Sequence, residues 1–243
     1  MKTLCLDFGN TRQKCAIFLN DDIVETFIFS ENVLEELQHI IKTHQANYSI
    51  LSSVILHNVE IENLLKEQTS FHLLNYQSQL PITTPVGKPE TIGSDRLALC
   101  SAAADLYNKN HKLVVGLGSC ITFNFVNKFN EFLGGSISPG MLMLFKAMND
   151  YTALLPIIKA EHQFPLVGYD TKTNLLSGVL FGLSKELDGV ADLYAEKYNN
   201  IKLILTGGDA AFFSQHLKNN FQYEPNLLFK GLLAISKRNR YKI

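Results

Sequence analysis

One arrangement of strands and turns occurs twice in this 243-residue chain, and it constrains the fold more than any other feature. Each copy has three strand-like apolar runs followed by a helix with apolar residues at helical spacing. A turn that contains glycine follows the first strand of each copy, at Gly9 and at Gly118. The strands fall at 4–7, 15–19 and 23–29 in the first copy and at 113–115, 121–126 and 132–137 in the second. This repetition predicts two duplicated α/β domains.

The domain boundary is predicted near His111, after the polar stretch 108–110, which gives domains of residues 1–111 and 112–243. The formal net charge is −1 and no basic cluster occurs, so nucleic acid is not an expected partner. No segment reaches the ~18 apolar residues of a membrane span. The four separated cysteines have neither zinc-site nor disulfide spacing. We therefore expect a cytoplasmic protein with no nucleic-acid or membrane partner.

The first motif with chemical potential is Asp7-Phe8-Gly9-Asn10-Thr11, at the end of the first strand. A carboxylate in this place can hold Mg²⁺ through water, while the turn surrounds phosphate oxygens. Glycine permits a close approach of the backbone to phosphate. Asp, Gly and Asn are also ordinary turn formers, so the motif alone leaves a plain β-turn open.

The second motif is Gly93-Ser94-Asp95-Arg96, at the start of an alanine-rich helix. Asp95 can accept a proton from a substrate hydroxyl, and Arg96 can pair with a substrate anion. A helix N-terminus and a neighbouring cation favour the ionised carboxylate, so we expect a lowered pKa for Asp95. Helix capping alone also accounts for an Asp and an Arg at this position.

Two further candidate motifs are glycine-containing turns in the second half of the chain. Ser119 lies in the turn after the first strand of the second copy, and Gly207-Gly208 joins a strand to a helix. Paired glycines after a strand let a flat ring lie against the backbone. An ordinary strand–helix loop is the alternative for each.

In order and spacing, these motifs resemble the type III pantothenate kinases from residue 2 to about residue 210. The matching blocks are 7–11, 89–96, 114–124, 134–141, 168–178 and 205–210. The resemblance implies an α/β fold of two ribonuclease-H-like domains, as in actin-like ATPases, with a nucleotide cleft between them. It also implies ATP-dependent phosphorylation of pantothenate to 4'-phosphopantothenate, the first step of coenzyme A biosynthesis, in a homodimer that completes the pantothenate pocket.

The resemblance assigns roles to individual residues. Asp95 is the implied catalytic proton acceptor, and Asp7 is the implied magnesium ligand through water. The implied pantothenate contacts are Gly93, Ser94, Asp95, Arg96 and Thr171. The implied ATP contacts are Asp7, Phe8, Gly9, Asn10, Thr11, Arg12, Gln13, Lys14, Ser119, Gly207 and Gly208.

Three positions depart from the family pattern. Gly116 occupies the place of an aspartate that holds a monovalent cation, Asn124 replaces a second aspartate, and Val86 replaces a tyrosine that faces pantothenate. Activation by K⁺ or NH₄⁺ is therefore in doubt. The departures leave a degenerate paralogue open, one that binds nucleotide or pantothenate and acts in regulation or partner binding. A kinase for another small hydroxy acid is a third alternative.

Overall fold

The computed structural model describes residues 1–240, which contain ten strands and seven helices. The strands are β1 Lys2–Phe8, β2 Gln13–Leu19, β3 Asp22–Ile28, β4 Tyr48–Ser53, β5 Ser70–Leu73, β6 His111–Leu117, β7 Cys120–Val126, β8 Phe132–Pro139, β9 Ile201–Thr206 and β10 Gln222–Tyr223. The helices are α1 Val33–His44, α2 Val59–Gln68, α3 Ser94–Leu106, α4 Met141–Asp150, α5 Thr171–Lys197, α6 Ala210–Phe213 and α7 Leu227–Asn239. None of these helices combines the length and apolar character needed to cross a bilayer.

The two sheets have the same strand order, which confirms the duplicated α/β plan. The first sheet runs β3-β2-β1-β4-β5, and the second runs β8-β7-β6-β9-β10. In each sheet the first strand of the copy pairs antiparallel with the next strand and parallel with the fourth. This arrangement brings the carboxyl ends of the first and fourth strands together at one edge of each sheet.

The elements form two compact units. The first contains Met1–Asn108, Asn130–Phe132 and residues 226–240. The second contains Lys109–Phe129 and Leu133–Pro225. Helix α7 thus packs in the first unit, whereas the sequence-based domains placed all residues after 111 in the second. A helical apolar pattern shows that α7 buries one face, but it does not show which sheet that face covers.

In the first unit, the central strand β1 is buried on both faces. Leu4, Leu6 and Phe8 pack with α1 and α2 on one face. Cys5 packs on the other face, with apolar residues of α7 such as Leu232. The second unit has its own core, in which α5 covers β6 and β7. Since apolar side chains point to both faces of β1, its position in the sheet interior follows from its sequence.

Helices α3 and α7 touch backbone to backbone at Gly231. A Cβ added there would overlap with the carbonyl group of Ala98. Glycine is required at this position by the close approach of the helices, since its own backbone is helical.

Gly231→Ala is expected to destabilise the protein, because the helices must separate to admit the methyl group. The loss should be about 1–3 kcal/mol, as for other overpacked sites, although alanine is intrinsically the better helix former. Gly182→Ala in α5 is the matched control, because a Cβ there meets no atom within 4 Å. Thermal unfolding of both variants checks this, and an unchanged or raised Tm for Gly231→Ala would contradict the close contact.

Candidate active site

Asp7 lies at the carboxyl end of β1 with only 7% of its surface exposed. Lys14 is its cross-strand partner on β2, and Lys14 Nζ lies 3.4 Å from Asp7 Oδ2. The same ammonium group lies 5.2 Å from the centre of the Phe229 ring. The Asp7 carboxylate thus has a cation beside it and little water around it.

Burial raises the pKa of Asp7 to about 6, because desolvation penalises the charged form. The nearby Lys14 opposes this shift, while the negative charge of Asp95 adds to it. Asp7 is therefore ionised at neutral pH but at a free-energy cost, which a further cation would relieve. A buried carboxylate of this kind suits a metal ion.

The turn after β1 closes through Gly9, whose backbone N–H donates to the carbonyl of Arg12 over 3.1 Å. The Gly9 amide is thus used within the turn. Asn10, Thr11 and Arg12 are exposed to solvent. Next to them, Gln13 Oε1 is buried without a hydrogen-bond partner among the described residues. Gln13 pairs with Phe8 in the strand register, so its side chain lies on the opposite face of the sheet from Asp7. The fit to a hydrated Mg²⁺ rests on the buried Asp7 carboxylate itself.

Within residues 1–240, no cluster of three or more His, Cys, Asp or Glu side chains is placed to hold a metal. Mg²⁺ is commonly bound through one or two carboxylates together with waters and substrate phosphates. Asp7 is the carboxylate that fits this description.

The helix that carries Asp95 is anchored to the same end of the first sheet. Ser94 Oγ lies 2.9 Å from Ser52 Oγ, and it donates to the carbonyl of Ser53 over 3.2 Å. Ser52 is the neighbour of Asp7 in the β1–β4 register. The start of α3 is thus fixed beside Asp7.

Burial raises the pKa of Asp95, and this effect outweighs the backbone N–H and the guanidinium of Arg96, which lower it. The lowered pKa expected from the sequence is therefore wrong in sign. Asp95 Oδ1 accepts a hydrogen bond from the Arg96 backbone N–H over 2.8 Å. A raised pKa makes the carboxylate a better proton acceptor near neutral pH.

Gly93 leaves room for the Asp95 carboxylate. A Cβ at Gly93 would lie 2.5 Å from Asp95 Oδ1 and 3.8 Å from Val54 Cγ1. Gly93 does not have a positive φ, so space rather than backbone conformation requires glycine here.

Gly93→Ala is expected to lower activity by about 10²-fold through displacement of the Asp95 carboxylate. The thermal stability should change little, because the carboxylate can rotate away from the new methyl group. Gly87→Ala is the matched control, since a Cβ there has no neighbour within 4 Å. Steady-state rates together with Tm check this, and full activity in Gly93→Ala would contradict the placement of Asp95.

The second unit has a comparable turn after β6. Gly140, at the start of α4, donates its N–H to the Ser119 carbonyl over 3.0 Å. Gly207 has φ +105°, and a Cβ on it would overlap with the Leu117 backbone. A Cβ at Gly208, by contrast, meets no atom within 4 Å. The structure thus brings Ser119 and Gly207 to one end of the second sheet.

The positions predicted to affect a monovalent-cation site lie in the interior of the second sheet. Gly116 contributes no side chain, and its neighbours in register are Thr122 and Thr206. The fully buried Asn124 donates from Nδ2 to the Val114 carbonyl over 3.1 Å and to Thr122 Oγ1 over 3.1 Å. Neither Gly116 nor Asn124 supplies a carboxylate, and the Asn124 amide is used in hydrogen bonds within the sheet. These residues do not fit a monovalent-cation site.

Thr171 begins α5 and borders a pocket of about 510 Å³ between α4 and α5. The pocket is mainly apolar, with Leu144, Met148 and Val179 among its lining residues. Asp170 caps the helix by accepting a hydrogen bond from the Thr173 N–H over 2.7 Å. The cap fixes the backbone at the start of α5, where Thr171 lies at the edge of the pocket.

Comparison with known proteins identifies the family. The sequence model of type III pantothenate kinases matches residues 3–193. The chain belongs to the type III pantothenate kinase family. A type III pantothenate kinase of Flavobacterium johnsoniae is 34% identical over 99% of this chain and 98% of its own length. One of Christiangramia forsetii is 35% identical over 98% of both chains.

Solved structures with lower identity share the two-domain actin-like ATPase fold. A Campylobacter jejuni protein named for the Baf family of transcriptional activators has a TM-score of 0.62 at 24% identity, over 97% of this chain and 98% of its own. A glucokinase from an Antarctic psychrotroph has a TM-score of 0.51 at 11% identity, over 97% and 98%. The fold predicted for a type III pantothenate kinase is thus confirmed.

Sequence reasoning missed two residues that build this site. Ser52 and Ser53 hold the helix of Asp95. The Ser-Ser pair after the apolar run 50–51 was a signal for the end of a strand. The partners of these residues are distant in the sequence, so local patterns do not reveal the contacts.

Proposed function

We propose that this type III pantothenate kinase transfers the γ-phosphoryl group of ATP to pantothenate. The product is 4'-phosphopantothenate, and the reaction is the first step of coenzyme A biosynthesis. The observation that carries the proposal is the pair of carboxylates, Asp7 and Asp95, held at one end of the first sheet.

Asp7 and the turn after it are proposed to bind the phosphates of ATP. A Mg²⁺ ion at Asp7, bound through water, would neutralise charge on the phosphates. The Asp7 carboxylate would orient that water by accepting its hydrogen bond. Lys14 supplies a further positive charge beside the phosphates. The exposed residues 10–12 present their polar groups towards the nucleotide.

Asp95 is proposed to orient the pantothenate hydroxyl and to accept its proton. The hydroxyl oxygen forms a bond to the γ-phosphorus while the bond to the β–γ bridging oxygen breaks, and ADP leaves. Phosphoryl transfer depends mainly on positioning and charge stabilisation. Arg96 supplies a cation for the carboxylate of pantothenate, and its guanidinium lies 5.4 Å from the centre of the Phe132 ring. The backbone of Gly93 and Ser94 is proposed to lie beside the substrate.

The second unit is proposed to contact the rest of both substrates. Ser119 binds phosphate oxygens, and Gly207-Gly208 gives the adenosine ring a flat backbone surface. Thr171 is proposed to contact pantothenate from the pocket of the second unit. Val86 lacks the phenol of the family pattern, and we propose that this loosens the binding of pantothenate.

We also propose that two copies of the chain form a homodimer that completes the pantothenate site. Large apolar side chains are exposed near Thr171, among them Leu154 at 91% and Tyr169 at 81%. Contiguous exposed apolar surface commonly marks an interaction site.

Sedimentation should give the mass of a dimer for the wild type, and Leu154→Glu should shift it towards the monomer. A monomeric wild type would remove this part of the proposal.

The substrate is tested by identifying the product. The protein is incubated with Mg-ATP and either pantothenate or other small hydroxy acids, and products are analysed by mass spectrometry. Phosphopantothenate should form preferentially. Phosphorylation of another hydroxy acid alone would redirect the assignment, and binding of ATP without any product would indicate a degenerate paralogue. We propose that the reaction takes place in the cytoplasm, where ATP is available.

Activity is expected to depend little on K⁺ or NH₄⁺, because Gly116 and Asn124 offer no carboxylate to a monovalent cation. Rates are compared in a Tris buffer free of alkali ions, with and without added KCl. Choline chloride at equal ionic strength serves as the control. A large, saturable activation by K⁺ would show that backbone and phosphate oxygens suffice for the cation.

A further inference from the structure

A series of hydrogen-bonded side chains lies next to the carboxyl end of β4 in the first sheet. Ser53 Oγ lies 3.0 Å from His57 Nδ1, and His57 Nε2 lies 3.2 Å from Glu62 Oε1. Glu62 also accepts a hydrogen bond from Lys66 Nζ over 3.0 Å. This series connects the end of β4 with helix α2 across the loop between them.

This network is largely shielded from water. The side chains of His57 and Glu62 are 13% and 20% exposed. The imidazole ring packs edge-on against Phe8, with 5.8 Å between ring centres and an interplanar angle of 81°. Hydrogen bonds from Lys66 and His57 lower the pKa of Glu62, although burial alone would raise it. The Glu62 carboxylate is therefore ionised and provides a negative charge beside the imidazole.

The same strand end holds the residues that carry the chemistry. The Ser53 carbonyl accepts from Ser94 Oγ over 3.2 Å, and the Val54 N–H donates to the Phe8 carbonyl over 3.1 Å. Val54 also lies beside Gly93. Any shift of the β4 end therefore moves the start of α3, and with it Asp95.

We propose that Ser53, His57 and Glu62 form a positioning network that fixes the hydroxyl-activating Asp95 through Ser94. His57 and Glu62 are positioning residues, and the reaction that they serve rests on the proposed function above. Their effect follows from geometry, because a displacement of about 1 Å at a reacting group costs about 10²-fold in rate.

The loop needs the imidazole because Ser53 alone cannot link it to α2. Ser53 Oγ donates to the carbonyl of Ile55, only two residues away, over 2.9 Å. That bond is local and leaves α2 unattached. The imidazole bridges Ser53 and Glu62 at once, since its two ring nitrogens point in different directions. Without it, the connection between β4 and α2 is broken.

The test compares His57→Ala, Glu62→Ala and Glu62→Gln in the full chain. The two alanine variants should lower kcat for pantothenate phosphorylation by about 10-fold, with the KM for ATP unchanged. Glu62→Gln should recover most of the rate, because the amide oxygen still accepts from His57. Glu60→Ala is the matched control on the same helix, since the Glu60 carboxylate is exposed and contacts Asn58.

Amide hydrogen exchange gives a readout that does not depend on turnover. Peptides that cover residues 93–97 should exchange faster in His57→Ala than in the wild type or in Glu60→Ala. Ser94→Ala combined with His57→Ala should lose no more rate than the worse single variant, because both act through one link. His57→Asn, which can still reach Ser53, replaces His57→Ala if that variant fails to fold.

The outcomes separate this network from the proposed function. A wild type that does not phosphorylate pantothenate would refute the function, while the exchange measurement would still test the network. Unchanged exchange at 93–97 in His57→Ala would overturn the positioning role. A lowered Tm with full kcat, or independent multiplicative losses in the double variant, would overturn it equally.

Discussion

Asp95→Asn is expected to lose at least about 10²-fold in turnover while it still binds ATP. Asparagine keeps an oxygen that can accept the Arg96 backbone N–H, so the start of α3 should remain in place. It cannot take a proton from the pantothenate hydroxyl. Calorimetric titration with ATP and steady-state rates with pantothenate measure the two effects separately.

Glu90→Gln provides the control for this substitution, because Glu90 is an exposed carboxylate in the short 3₁₀ turn just before α3. It should retain the rate of the wild type. Turnover near that of the wild type in Asp95→Asn would remove Asp95 from the mechanism. A loss of ATP binding in Asp95→Asn would show that its charge serves the nucleotide instead.

Asp7→Asn is expected to abolish most activity and at the same time to stabilise the unliganded protein at neutral pH. The pKa of Asp7 is about 6 in the folded state against an ordinary value of 3.8. Between these values the folded protein binds a proton that the unfolded chain releases, so stability falls as pH rises through that window. Above pH 6, the ionised Asp7 costs on the order of 2–3 kcal/mol, which asparagine removes.

Thermal unfolding of the wild type and Asp7→Asn at two pH values measures this effect. The variant should have a Tm higher by roughly 4–8 °C at pH 7.5, and the difference should shrink at pH 4.5. Wild-type activity should also fall as the pH drops through about 6, where Asp7 becomes protonated. An Asp7→Asn variant that is less stable at pH 7.5 would mean that Lys14 more than offsets the cost of burying the carboxylate.

The repeated pattern of the sequence predicted both sheets because strands, turns and helices have local signals. No local signal showed which sheet α7 packs against, since its apolar face fits either sheet. It packs in the first unit because Gly231 admits the close contact with Ala98. The order of the elements was thus accessible from the sequence, while the packing of a distant helix was not.

The candidate site shows the same division. The motifs around Asp7 and Asp95 were visible as residues of the right type at strand and helix ends. The sign of the pKa shift of Asp95 could not be predicted, because the sequence shows its neighbours Gly93 and Arg96 but not its burial. The contribution of Ser52 was equally hidden, since its partner Ser94 is 42 residues away.

Pantothenate-dependent release of ADP by the wild-type protein is the decisive measurement of pantothenate kinase activity. With Mg-ATP present, we expect the rate of ADP formation to rise and saturate with pantothenate. The Asp95→Asn substitution should reduce this rate by about 10²-fold or more. ADP release that does not respond to pantothenate, in folded protein that binds ATP, would contradict this activity.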